Sequence, residues 1–163
     1  YFDKLMNNHL KRSQEDINDI YGTKYYQAIL EELEENINNL LNFKKTDSIE
    51  ELVHKLRAKN LRTFELGILS RRLCEEILDD LLEFSKADGQ KNLSVKITAL
   101  HDIGIASWII SYFHTIRIFG NFYAHNKAIT SVYPSKHFEQ DILVLISSLN
   151  RIIIFYKTYI CKT

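Results

Sequence analysis

The sequence predicts an all-α helical bundle, on three observations. Chain breakers are scarce: one proline and five glycines stand among 163 residues, where a loop-rich β protein carries several times more. Apolar residues recur three and four apart. Leu30, Leu33, Ile37, Leu40 and Leu41 make one stripe, Leu66, Leu69, Leu73, Ile77, Leu81 and Phe84 a second, and Ile142, Leu145, Ile146, Leu149, Ile152, Ile153 and Tyr156 a third. No stretch sustains the period-two alternation of a half-buried strand.

The breakers place the elements. A first helix is expected over 2–20, stopped at Tyr21-Gly22-Thr23, where Gly22 suits the residue after a helix C-cap. A second follows over 24–43. Asp47 or Ser48 is the expected cap of a third, because Glu50 and Glu51 then fall in its first turn and complement the helix dipole; it closes near Lys59-Asn60. The fourth spans 61–85 and ends at Ala87-Asp88-Gly89. Residues 94–102 form a short fifth helix ended by Gly104. The sixth starts at Ala106 or Ser107 and reaches at least Arg117, with Gly120 interrupting its pattern. Segment 127–133 is β-branched and irregular, and Pro134 suits the first turn of a last helix ending near Tyr159.

Length and charge narrow the class. A chain of 163 residues buries about two-thirds of its extended surface, enough for a core without staples. Twenty-one Lys+Arg balance twenty-one Asp+Glu, which excludes coating of nucleic acid or membrane by bulk charge but leaves room for a small site acting on RNA. Cys74 and Cys161 have neither disulfide nor zinc-site spacing, so a reducing, cytoplasmic setting is expected. No membrane span is expected either. Tyr1 stands where a start methionine would, which fits a domain within a longer chain.

Polar residues inside an apolar helix need an explanation, since burying one unpaired costs a few kcal/mol. Segment 111–126 holds several. Arg117, Asn121 and His125 are four apart and fall within roughly 80° of one another on a helix, with His114 on the same side. Ile110, Phe113, Ile116, Ile118, Phe119 and Phe122 surround them as packing residues. A purely structural account is open: Arg117 and His125 satisfy buried acceptors, and Asn121 caps a turn started by Gly120. Elsewhere, Glu75/Glu76 with Asp79/Asp80 read either as metal carboxylates or as ion-pair partners of Arg71 and Arg72, the spacing favouring ion pairs. His9, His54, His101 and His137 have no His-x-x-x-His partner, and no phosphate loop or nucleophile elbow occurs. No metal or cofactor is therefore expected.

Arg117-Ile-Phe-Gly120-Asn121-Phe-Tyr-Ala124-His125 resembles the Arg-x-x-Gly-Asn-x-x-Ala-His signature of a HEPN branch, a domain of unknown function often attached to restriction and anti-phage defence proteins. Ser70-Arg71-Arg72-Leu73-Cys74-Glu75-Glu76-Ile77-Leu78 is similar to that branch's Ala-Arg-Arg-x-Leu-Glu-x-Leu helix, with Cys74 in the place of a leucine. Leu93-Ser-Val-Lys96-Ile97-Thr-Ala-Leu100-His-Asp-Ile-Gly104-Ile105 is similar to its Leu-x-x-Lys-Ile-x-x-Leu-x-x-x-Gly-Ile block. The resemblance covers 61–160. It implies a HEPN-like domain over 61–163, preceded by a helical extension over 1–60 packed on the bundle.

The resemblance further implies a homodimer in which Arg and His meet at the interface and cut RNA without metal. The aromatic density of 108–123 points to the same self-association. Attack by a ribose 2′-OH on the adjacent phosphate needs a proton carrier tuned near neutrality, which is histidine's range. The phosphorane's extra charge suits a planar guanidinium fork. Carried over, His125 is the acid/base, Arg117 the phosphate clamp and Asn121 the orienting group, with His114 and Tyr123 as substrate contacts. Tyr123 serves either as a stacking platform for an unpaired base or as packing. Seven residues separate Arg117 from His125, more than in the family's active ribonucleases. Two functions follow as expectations: an endoribonuclease within a prokaryotic defence or toxin protein, or a non-catalytic dimerisation or docking module of such a protein.

Overall fold

A computed structural model describes residues 24–83, 92–124 and 139–162. Among them six helices occur and no strand: α1 Lys24–Leu41, α2 Asp47–Ala58, α3 Thr63–Leu82, α4 Leu93–Ala99, α5 Ser107–Ala124 and α6 Glu139–Lys162. The all-α class is therefore the fold. The first expected helix, the Gly89 stop and the Pro134 start lie outside the described residues.

Local chemistry sets the helix ends. Thr46, rather than Asp47 or Ser48, is the N-cap of α2, its hydroxyl accepting from the Ile49 N–H at 3.3 Å. Asp47 falls one place later, where its charge meets the helix N-terminus, and Lys55 and Arg57 sit in the last turn. Lys59 closes the helix at φ 54°, its N–H donating to the Leu56 carbonyl at 3.2 Å. Glu83 does the same for α3 at φ 51°. Neither is a glycine, so both bear the left-handed strain that glycine avoids. Asn92 caps α4 by accepting from the Val95 N–H at 2.9 Å.

All three apolar stripes meet in one core. α1 packs on α2 and α6, α3 on α2, and α5 on both α3 and α6, while α4 closes against α3 and α5. Leu33, Ile37, Leu52, Leu66, Leu73, Phe113, Ile116, Leu145 and Leu149 are fully buried in it. Each such side chain contributes about 1.5–3 kcal/mol. α1 and α2 share this core with the rest, and Leu61, at the expected boundary, is itself buried. Buried Asn150 of α6 ties the first helix in: it accepts from the Asn36 amide at 3.2 Å and donates to the Ile29 carbonyl at 3.4 Å.

Two expectations need correction. Gly120 does not interrupt the sixth helix, which runs unbroken through it to Ala124. The residue is buried against α3, where a Cβ would come within 2.6 Å of the Arg71 Cβ and 2.8 Å of its Cδ. Close helix approach, not a turn, is its role. Nor does the chain lack a segment that could span a membrane by length and apolar content, since Asp141–Lys162 has a mean hydropathy of 1.3 over its most apolar window. Half of that window is buried in the bundle, as in any core helix.

Candidate functional site

α5, packed against α3, α4 and α6, carries His114, Arg117, Asn121 and Tyr123 of the candidate residues. Its buried side, Ile109, Ile110, Phe113, Ile116 and Gly120, faces the core. That register turns His114 and Arg117 part-way to solvent, and both are half-buried. They are three apart, so the helix brings them side by side: the Arg117 Nε–H donates to His114 Nδ1 at 3.4 Å. An accepting Nδ1 carries no proton, which leaves the neutral ring with its hydrogen on Nε2.

Electrostatics hold His114 in that neutral form. Partial burial lowers its pKa from the ordinary histidine value, and the positive fields of Arg117 and of His101 lower it further. His101 stands on the turn between α4 and α5. There the Ile105 N–H donates to the Leu100 carbonyl and the Gly104 N–H to the His101 carbonyl, each at 3.1 Å. Gly104, at φ 82°, makes that reversal possible.

Arg117 differs from most other half-buried or buried cations. Lys44 pairs with Asp80 and Lys96 with Asp79, both at 2.7 Å, Lys55 pairs with Glu65, and Arg71 lies 3.5 Å from Glu75. Lys157 lies over the Phe43 ring. Among the described residues no carboxylate lies within 4.0 Å of Arg117.

The other candidates distribute unevenly. Asn121 is half-buried one turn beyond Arg117, inside the helix, so it caps nothing. Tyr123 lays its ring against Gly67 of α3, where a Cβ would collide with it, and meets Phe122 edge-on with centroids 5.2 Å apart. That ring is committed to the α3–α5 contact. His125 lies outside the described residues. His101, set aside for want of a zinc-like partner, is the residue that sequence reasoning missed. A helical projection relates residues within one helix and says nothing of a turn folded back on the next.

The acidic row on α3 has structural partners. Arg71 takes Glu75, as the spacing predicts, but Arg72 reaches across to Glu51 at 3.3 Å instead of Glu76. Glu76 accepts from the Thr46 and Ser48 hydroxyls at 2.6 and 2.7 Å, fixing the start of α2. Asp79 holds Lys96, and Asp80 accepts from Lys44 and from the Tyr156 hydroxyl. Burial raises the Asp80 pKa, but those two hydrogen bonds and the Lys44 charge outweigh it and leave the carboxyl below its ordinary value. Among the described residues no group of three or more His, Cys, Asp and Glu side chains is arranged to hold a metal ion. The thiol of Cys74 is buried and its pKa is pushed far up by desolvation. No nucleophile resides there.

The chain matches no family model, no curated protein and no solved structure.

Proposed function

We propose that this chain is a HEPN-like domain that cleaves RNA without a metal ion, as part of a prokaryotic anti-phage or toxin protein. The observation that carries the reading is Arg117: half-buried in mid-helix, braced by a neutral histidine, and with no carboxylate partner among the described residues. A structural arginine at such a depth is ordinarily neutralised by an acid, because an unpaired charge is expensive away from water. A guanidinium stationed for an incoming phosphate is left without one. In this reading Arg117 binds the scissile phosphate and stabilises the phosphorane, His125 moves the proton of the 2′-OH or the leaving oxygen, and Asn121 orients one of them. An internal 2′-OH nucleophile requires no positioned water, so the product ends in a 2′,3′-cyclic phosphate.

The test is incubation of the purified chain with RNA in EDTA, beside Arg117→Ala and His125→Ala. Cleavage that persists in EDTA and falls about 10²–10³-fold in each variant, with helicity unchanged, supports the reading. If RNA stays intact under every condition and both variants melt early, the residues serve the fold.

A non-catalytic pairing module is the second reading. Trp108 and Ile118 favour it: both lie on the outer side of α5, 55% and 58% exposed, and large apolar side chains so presented mark contact surfaces. A homodimer would satisfy both readings. Light scattering at micromolar concentration separates dimer from monomer, and a monomer counts against a composite active site.

A further inference from the structure

We propose that the corner between α2 and α3, with Lys59, Arg62 and the exposed ring of Phe64, docks single-stranded RNA. The two cations take phosphates of the strand and the ring stacks on a base. The inference rests on the ribonuclease reading and adds to it a binding surface outside α5.

Helix chemistry does not account for these side chains. From His54 to Phe64 the chain carries Lys55, Arg57, Lys59 and Arg62 and no acid, a local excess in a sequence of zero net charge. Lys55 and Arg57 lie in the last turn of α2, where cations suit the helix dipole, and they are paired with Glu65 and Glu34. Lys59 and Arg62 depart from that pattern. Both are exposed, and among the described residues neither has a carboxylate within 4.0 Å. Arg62 is the N-cap of α3 and makes no side-chain cap hydrogen bond. Ser, Thr, Asp or Asn is preferred at that position, and a cation at the positive end of a helix opposes the dipole. Phe64 follows in the first turn, 43% exposed. Stability of the fold favours neither choice, whereas an anionic strand with an unpaired base favours both.

The corner is fixed in the fold. The Lys59 N–H closes α2 on the Leu56 carbonyl and the Asn60 N–H on that of Lys55, each at 3.2 Å, while Leu61 is buried in the core. Lys59 and Arg62 flank that anchor at the surface. From there α3 runs antiparallel to α5, since Gly67 meets Tyr123 and Arg71 meets Gly120. The first turn of α3 accordingly lies at the end of α5 that carries Asn121 and Ala124, and His125 is the next residue in the chain. Helical periodicity puts Phe64 in line with Arg71, on the side of α3 that faces α5. A strand laid over Phe64 is led toward the end of α5 where the residues assigned to chemistry begin. The ring also selects the class of ligand. A duplex keeps its bases stacked inside and an acidic peptide has none, so a single strand is the polyanion that uses the cations and the ring together.

The experiment is fluorescence anisotropy of a labelled single-stranded 2′-O-methyl oligoribonucleotide, which cannot be cut, with the whole chain over a range of salt. The variants are the double substitution Lys59→Gln/Arg62→Gln, Phe64→Leu, and Lys162→Gln. The last is a control at the other end of the bundle, where Tyr156 of α6 meets Asp80 near the end of α3. The double variant should weaken binding about tenfold or more at low salt and lower the salt slope by about 1.4, for two phosphates at about 0.7 each. Phe64→Leu should weaken it about five- to tenfold and leave the slope unchanged. Lys162→Gln should change neither. An oligonucleotide that does not bind, or whose affinity and slope survive the double variant and Phe64→Leu, overturns the proposal. So does equal displacement of the strand by duplex RNA or by polyglutamate, which marks an unselective anion patch. Docking that responds to these variants in a chain that cuts no RNA keeps the surface and removes the ribonuclease reading. Cleavage with KM unchanged in every variant removes the surface and spares that reading.

Discussion

The α1–α4 half of the bundle and the exposed side of α5 treat positive charge in opposite ways. In the first, Lys44, Lys55, Arg57, Arg71, Arg72 and Lys96 each stand within 4.0 Å of a carboxylate, most of them bridging one helix to another. On the second, Arg117 leans on an imidazole and Arg151 on an indole ring. Paired charges are satisfied within the chain and hold helices in register. Cations supported only by neutral rings keep their positive field directed outward. The same residue type is thus structural in one place and available in the other, and the difference lies in what its neighbours neutralise.

Breaking the paired side should cost most. Lys96 is 5% exposed and held by Asp79; Asp79→Ala takes that carboxylate from a buried ammonium, and the expected loss is about 3 kcal/mol in denaturant unfolding. A loss no larger than that of a surface substitution would erase the distinction between the two regions. Gly120→Ala comes next. Its new methyl meets the Arg71 stem, so α3 and α5 separate or Arg71 shifts, at about 1–3 kcal/mol, read as a lower midpoint of thermal unfolding. The Arg72–Glu51 pair is 3.3 Å long with both side chains more than two-fifths exposed. A double-mutant cycle there should return less than about 1 kcal/mol.

Arg117→Ala should change stability by no more than about 0.5 kcal/mol, since it breaks no ion pair. The same variant removes one of the fields that depress His114, so the ring's titration should move up, as proton NMR reads directly. The smallest effect is the pH slope. The folded pKa of His114 lies below the ordinary 6.5, so the unfolded chain binds the proton more readily. Stability from this group is therefore present above about pH 6.5 and is lost as pH falls toward the lower, folded value. His114→Gln should flatten that slope, in unfolding curves collected across the window. A slope that steepens instead would place the ring in an ion pair.

The sequence alone determined the fold class and most of the core. Spacings of three and four leave one way to bury Leu33, Ile37, Leu73, Ile77, Leu145 and Leu149, and all six are buried. It also placed His114 and Arg117 on one side of one helix, because periodicity within a helix is a local property. Only the tertiary structure decided the rest. Gly120 reads locally as a breaker, yet the approach of Arg71 makes it an interior helix residue. Glu76 reads as the partner of Arg72, yet the α2 cap claims it and Arg72 turns to Glu51. His101 reads as an isolated histidine, yet it is among the groups that lower the His114 pKa. Each of these depends on a residue distant in the chain or on a reversal between helices. Local propensity and spacing hold no record of either, because the competing partner becomes available only after the helices pack.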